Sequence, residues 1–375
     1  MMKTWVNIFW LGIKELRSVF ADIFVVGLII FAFTIDIYSQ ATAMSESVNN
    51  ASIAIVDEDH SSLSRSIADA LYPPYFKTPE LIAPDEVDQS MDNDRFMFVV
   101  SIPPSFEKDI RQGRQPSVQI DIDATAVSQA SLGNSYIQSI ITNEVNHFVN
   151  RSDKTTTYPV TLIQRRAFNP NGTGMWFGAI NALLNQITLL IIILTGAALL
   201  REREHGTIEH LLVMPLTSFQ IAISKVWANG LIILVAFMFS MLFVVEGLLD
   251  VPIAGSPWLL FGGTAIYLFA SAAIGIFLGT IARTMAQFAL LLMMVIIPMM
   301  MLSGGLTPIE SQPAIIQPLT WFFPSRHYMA FFQAVAFRGA GFNIIWPQLL
   351  TIIGLGFIFL SASLALFRRS IAVSK

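Results

Sequence analysis

The residues with the densest chemistry form one charged island, Arg201-Glu-Arg-Glu-His-Gly-Thr-Ile-Glu-His-Leu-Leu-Val-Met-Pro215. Such a cluster has the chemistry to ligate a metal, move protons, bind a nucleotide or touch another protein. His205 and His210 are five apart, a poor spacing for one metal on a helix. The chain has no G-x-x-x-x-G-K-[ST] loop to cradle phosphates, no H-E-x-x-H and no G-x-S-x-G. It has no cysteine, which excludes disulfides, thiolate metal sites and a Cys nucleophile. No enzyme is legible here. Ile208, Leu211 and Leu212 fall at i, i+3, i+4, with Gly206 as a hinge, Thr207 as an N-cap and Pro215 as a stop. The island therefore reads as a short amphipathic helix whose chemistry is contact.

Two further polar groups stand out in the sequence. Asp57-Glu-Asp59 resembles a divalent-cation lure, but its place at a strand end before Ser61-Ser62 favours turn and helix-cap chemistry. Asn181, Asn185 and Thr188 share a helical face at i, i+4, i+7, with Gln186 adjacent. They either line a translocation path or bond neighbouring helices, the latter worth about 0.6–2 kcal/mol each.

The elements that position these residues are membrane spans. The chain has 375 residues, 54% hydrophobic and 13% charged, with a mean hydropathy of +0.61; soluble domains carry about 25% charged residues. Acidic residues outnumber basic ones between Ser39 and Gly174, and basic ones prevail elsewhere, a balance that argues against a nucleic-acid partner. Apolar runs predict six spans: about Phe20–Tyr38, Met175–Leu200, Val226–Val245, Trp258–Ile281, Met285–Ser303 and about Pro347–Phe367. The first works only if Asp22 and Asp36 sit near the two headgroup regions, where solvation accounts for both. Ahead of it, Trp5, Ile8, Phe9, Ile13, Leu16 and Phe20 share one face opposite Lys3, Asn7, Lys14, Arg17 and Ser18. That pattern fits a helix lying in the membrane interface or an extension of the first span. Ser271, Gly275 and Gly279 form a small-residue packing ridge.

The fold class is thus a membrane all-α bundle of six helices with an N-terminal interfacial helix, interrupted by an inserted α/β domain. Domain boundaries fall at 1–38, 39–174 and 175–375. Strands at Ser52–Val56, Phe96–Ile102 and Val118–Ile122 alternate with helices at Ser61–Leu71, Asp85–Met91, after Pro103-Pro104 and at Val127–Val149; Thr157–Phe168 leads back in extended form. The segment 302–346, with Ser303-Gly-Gly305 and four prolines among apolar residues, suits short helices dipping into the outer leaflet. Lys3, Lys14, Arg17, Arg201, Arg203, Lys225, Arg283, Arg368, Arg369 and Lys375 fall on one side. That places both termini and the island in the cytoplasm and the inserted domain in the periplasm of a bacterial inner membrane.

The island closely resembles the signature of type-2 ABC exporter permeases, and Met301-Leu-Ser-Gly-Gly305 with Pro308 resembles that family's outer-leaflet re-entrant segment. The resemblance covers the whole chain. It implies a non-catalytic permease exporting drugs, lipids or other amphiphiles, with Glu202, Glu204, Gly206, Thr207 and Glu209 in a coupling helix (201–215) docked on a cytosolic ABC ATPase. It further implies that ATP and Mg are held by the ATPase, that a second permease subunit completes a homo- or heterodimer, and that a periplasmic adaptor and outer-membrane channel join the assembly. Met214 departs from the Thr that many relatives carry before the Pro. Two rival readings stand beside it: an ion- or proton-coupled antiporter without an ATPase, and a membrane-anchored periplasmic receptor or scaffold. The first rival lacks the ionisable residues near the midplane that such transporters show.

Overall fold

A computed structural model describes residues 2–43, 50–93, 95–123, 127–150, 173–204 and 216–373. Gly206, Thr207, Glu209 and the segment 157–168 lie outside the described residues. The chain divides into two compact units, Met1–Met44 with Arg166–Lys375, and Ser45–Arg165.

The first unit begins with α1 (Met2–Ala21), which ends where Asp22 turns to extended geometry (φ −92°, ψ 96°) and caps α2 (Ile23–Phe31). Asp22 Oδ1 accepts the N–H groups of Phe24 and Val25 at 3.2 and 3.3 Å. A π-helical segment, Ala32–Asp36, and α3 (Ile37–Ala43) continue the same rod. The first apolar rod is therefore Ile23–Ala43, not Phe20–Tyr38. The break at Asp22 makes α1 a separate helix and shifts Asp36 from the end of the rod into its length. Of the apolar side of α1, Trp5, Phe9 and Phe20 are exposed, whereas Ile8, Gly12 and Glu15 are buried.

The second unit is a four-stranded sheet: β1 (Ile53–Asp57), β2 (Glu80–Leu81), β3 (Phe98–Ile102) and β4 (Gln119–Ile122) in the order β2-β1-β3-β4. β1 runs parallel to β2 and β3, and β4 is antiparallel to β3. Between them lie α4 (Ser62–Ala70), α5 (Val87–Asp92) and α6 (Phe106–Arg111), followed by α7 (Val127–Asn150). Alternation splits each central strand between two faces. Ile53, Ile55, Phe98 and Val100 pack with Leu63, Ile67, Phe106 and Ile137; Ala54, Val56 and Val99 pack towards Val87 and Met91. Both faces are covered, as a parallel centre requires.

The remaining helices return to the first unit: α8 (Gly174–Glu204), α9 (Ser218–Phe239) with a π-helical end at Ser240–Glu246, α10 (Pro257–Ile281), α11 (Met285–Met301), α12 (Gln317–Thr320), α13 (Pro324–Ala336) and α14 (Phe342–Val373). Among the described residues, five helical rods are long and apolar enough to cross a membrane: 23–43, 174–204, 218–246, 257–281 and 342–366. α11 is apolar but has 17 residues, about 26 Å at helical rise. α14 starts five residues before the expected Pro347, which sits in its second turn. The 302–346 segment contains α12, α13 and a 3₁₀ turn at Ile309–Ser311.

α8 and α10 are the most buried rods and pack backbone to backbone. A Cβ on Gly275 would lie 2.1 Å from Thr195 Oγ1 and 2.6 Å from the Ile192 carbonyl; one on Gly279 would lie 2.7 Å from the Gly196 carbonyl. The small-residue ridge is a contact surface between these two helices.

Candidate functional site

Around the last turn of α8, three consecutive charged side chains reach different helices. Glu202 is held by two lysines: its Oε1 lies 2.9 Å from Lys14 Nζ of α1, and its Oε2 lies 2.9 Å from Lys225 Nζ of α9. Lys225 is 1% exposed and also meets Glu15 Oε1 at 2.9 Å. Burial alone would lower the Lys14 pKa, but the hydrogen bond and charge of Glu202, helped by Glu15, hold it above its ordinary value.

α1 is brought to this network by local packing. Gly12 has no side chain, and a Cβ there would fall 2.0 Å from the Trp227 ring. The indole therefore lies flat on α1, donating from Nε1 to the Ile8 carbonyl at 3.1 Å and stacking on Phe9 with centroids 5.9 Å apart. Glu15, one turn beyond Gly12, then faces Lys225.

Arg203 points to the end of α10. Its Nη1 donates to the carbonyls of Thr280 (2.8 Å) and Ala282 (3.2 Å), groups left open at a helix C-terminus. Glu204 Oε1 accepts the N–H of Met285, the first residue of α11, at 2.9 Å. A cation thus meets the negative end of one helix dipole and an anion the positive end of the next. Glu202, Arg203 and Glu204 together bind α1, α9 and the α10–α11 turn to the point where α8 hands over to residues 205–215. The family resemblance implies that Glu202 and Glu204 belong to an ATPase interface; in this structure both also have partners in their own chain.

The polar face of α8 also finds partners. Asn181 and Thr188 are buried, and Asn185 and Gln186 are partly buried. Thr188 Oγ1 is 2.6 Å from the Tyr267 hydroxyl of α10. Tyr267 stacks on Tyr328 of α13, centroids 3.9 Å apart, and the Tyr328 hydroxyl is 2.8 Å from Thr264 Oγ1. Gly305 sits against Asn181, where a Cβ would fall 2.1 Å from Oδ1. Gln186 Nε2 donates to Asp36 Oδ2 across to the first rod. These groups tie α8 to four other segments, and the structure separates Gln186 from Asn181 and Thr188 by giving it a different neighbour.

Sequence reasoning missed Glu15 and the place of Asp36. Glu15 sits beside Lys14 on a mixed helix and looks solvated until Lys225 is seen opposite it. Among the described residues, no group of three or more His, Cys, Asp or Glu is placed to hold a metal ion. Asp57 accepts from the N–H groups of Asp59 and His60 (3.1 and 2.9 Å) and from the Ser64 hydroxyl (2.8 Å), while Asp59 accepts the N–H of Glu107 at 3.0 Å. That is turn and cap chemistry.

The description of ABC-2 family transporter proteins matches residues 18–365. The chain belongs to the ABC-2 transporter family. It is 49% identical over 365 residues to the inner membrane transport permease YhhJ of Escherichia coli strain K12, covering 97% of this chain and 98% of that one. It is 27% identical over 362 residues to the probable multidrug ABC transporter permease YbhR (96% and 97% covered) and 26% identical over 349 residues to YbhS, of the same description (90% of each), both from the same strain. Within this ABC-2 protein, the family match spans α8, the residues after it and every partner named above for Glu202, Arg203 and Glu204 except Lys14.

Proposed function

We propose that this ABC-2 protein is the permease subunit of an ATP-driven exporter in a bacterial inner membrane. A separate cytosolic ATPase binds ATP and Mg, and a second permease subunit completes the pathway. The observation that carries the reading is the last turn of α8. Three residues at the head of the island grip four other helices, so a push on the rest of it, 205–215, is delivered to α1, α9, α10 and α11. Gly206, Thr207 and Glu209 take the ATPase contact, and Glu202 and Glu204 fasten that contact to α1, α9 and α11.

In this arrangement α11 is the sixth span, slightly short for a hydrocarbon core of about 30 Å. Both termini and the island are cytoplasmic by the distribution of Lys and Arg, and the Ser45–Arg165 unit is periplasmic. The short helices of 302–346 then lie towards the outer leaflet. The names of YbhR and YbhS, probable multidrug ABC transporter permeases, support a drug cargo.

The test is a Glu209→Lys charge reversal. The permease should insert normally and lose co-purification with its ATPase. Unchanged co-purification with unchanged ATP-dependent export removes the docking role. Export driven by an ion gradient through the purified permease alone replaces the reading with a gradient-driven antiporter.

A further inference from the structure

Asp36 lies about 20 Å along its own rod from Ile23 and about 10 Å from Ala43. Gln186, its partner on α8, is about 15 Å along the helix from Trp176 and about 22 Å from Arg201. A hydrocarbon core is about 30 Å thick, so this pair sits near mid-depth when α8 crosses a membrane. The rod bearing Asp36 does not end there: Ile37 and Ala41 of α3 continue along α8 and are fully buried. Tyr267, paired with Thr188 at the neighbouring turn, is about 14 Å along α10 from Trp258. Two helices therefore give the same depth.

At that depth Asp36 has two hydrogen-bond partners among the described residues, both amide donors and both on Oδ2: Gln186 Nε2, and Gln40 Nε2 at 2.6 Å. No described cation pairs with it. The residue is partly exposed at the surface of the bundle, beside exposed Ile35 and Tyr38. The π-helical segment Ala32–Asp36 delivers it there, a geometry that recurs at functional sites. Two amide donors orient a carboxylate without neutralising it. An uncompensated charge in an apolar medium is costly, and ionisable groups inside membranes mark binding or transport positions.

We propose that Asp36, oriented by Gln186 and Gln40, is the recognition point for an organic cation with an apolar body, the charged group pairing with the carboxylate at mid-depth. The site rests on the export reading, and it names the cargo class that reading leaves open.

The test uses the full-length permease in phosphatidylcholine nanodiscs without ATPase or nucleotide, so it can fail while ATPase docking succeeds, and the reverse. The probe is radiolabelled tetraphenylphosphonium, with neutral Nile red as the control. Wild type should bind tetraphenylphosphonium saturably; Asp36→Asn should bind it at least tenfold more weakly, with Nile red binding and thermal midpoint retained, and Asp36→Glu should recover binding. No saturable binding by wild type, or equal binding by Asp36→Asn, overturns the proposal. A second measurement needs no variant: dicyclohexylcarbodiimide should label Asp36, located by peptide mass spectrometry, and tetraphenylphosphonium should protect it. Labelling without protection, or no labelling, overturns the site, as it would if a second copy of the chain covered Asp36.

Discussion

Lys225 Nζ lies 2.9 Å from Glu202 Oε2, and the lysine side chain is 1% exposed. A buried ion pair adds little net stability, yet removing one partner is expensive because the other charge stays buried. Lys225 is shared with Glu15, so Lys225→Met strands Glu15 and leaves Glu202 with Lys14 alone. We expect a loss of about 3–5 kcal/mol. Lys14 serves Glu202 from a half-exposed position, and Lys14→Met should cost no more than about 1 kcal/mol. Thermal unfolding in detergent, followed by tryptophan fluorescence, ranks the two; equal midpoints would show that the network does not hold α1 to the bundle.

Gly275 and Gly262 lie on the same helix and should respond in opposite ways. A Cβ on Gly275 meets Thr195 Oγ1 and the Ile192 carbonyl, whereas one on Gly262 meets nothing within 4 Å. Gly275→Ala should destabilise by about 1–3 kcal/mol through overpacking. Gly262→Ala should be neutral or gain up to about 1 kcal/mol from helix propensity. The same unfolding measurement decides.

Arg203 tests transmission apart from docking. Arg203→Ala deletes its bonds to the Thr280 and Ala282 carbonyls; charged hydrogen bonds are worth about 1.5–3 kcal/mol. ATPase co-purification should persist while ATP-dependent export falls tenfold or more. Export at the wild-type rate would show that force does not pass through the α10–α11 turn.

Glu107 gives the second unit a pH dependence. The Ser62 hydroxyl, opposed by burial and aided by the Leu63 N–H and Arg111, holds its carboxyl below the ordinary value. A depressed folded pKa contributes stability that is complete above the unfolded value of about 4.3 and is lost as pH falls through the folded value. The protection of the Ser62 and Leu63 amides, as exchange relative to the intrinsic rate at each pH, should therefore fall below about pH 4.3, and Glu107→Gln should flatten that response. An identical profile in the variant would assign the effect elsewhere.

The parts of this fold that were legible in the sequence are those governed by local periodicity. β1 and β3 are short continuous apolar runs, β4 alternates and α7 is a long helical stretch, and the structure moves their ends by two residues or fewer. β2 has two residues, both exposed, and carries no pattern. Asp22 was readable as a polar residue between apolar runs; its role as a helix cap depends on backbone angles that composition does not encode. Glu15 pairs with a residue 210 positions away, and no local pattern reports such a partner. Asp36 was misplaced for the same reason that the first rod was: its length is fixed by packing of Ile37 and Ala41 on α8, and the polar residues after Tyr38 hid the continuation.

The π-helical segment at Ala32–Asp36 has a consequence for insertions and deletions. A π turn holds one residue more than an α turn needs, so removing the exposed Ile35 would let the rod relax to α geometry with the Asp22 cap and buried Ile37 both in register. The same deletion inside α2 or α3 would rotate everything beyond it by about 100°, turning either the cap or Ala41 away from its contacts. Length variation in this rod among related chains should therefore concentrate in five residues and spare the rest.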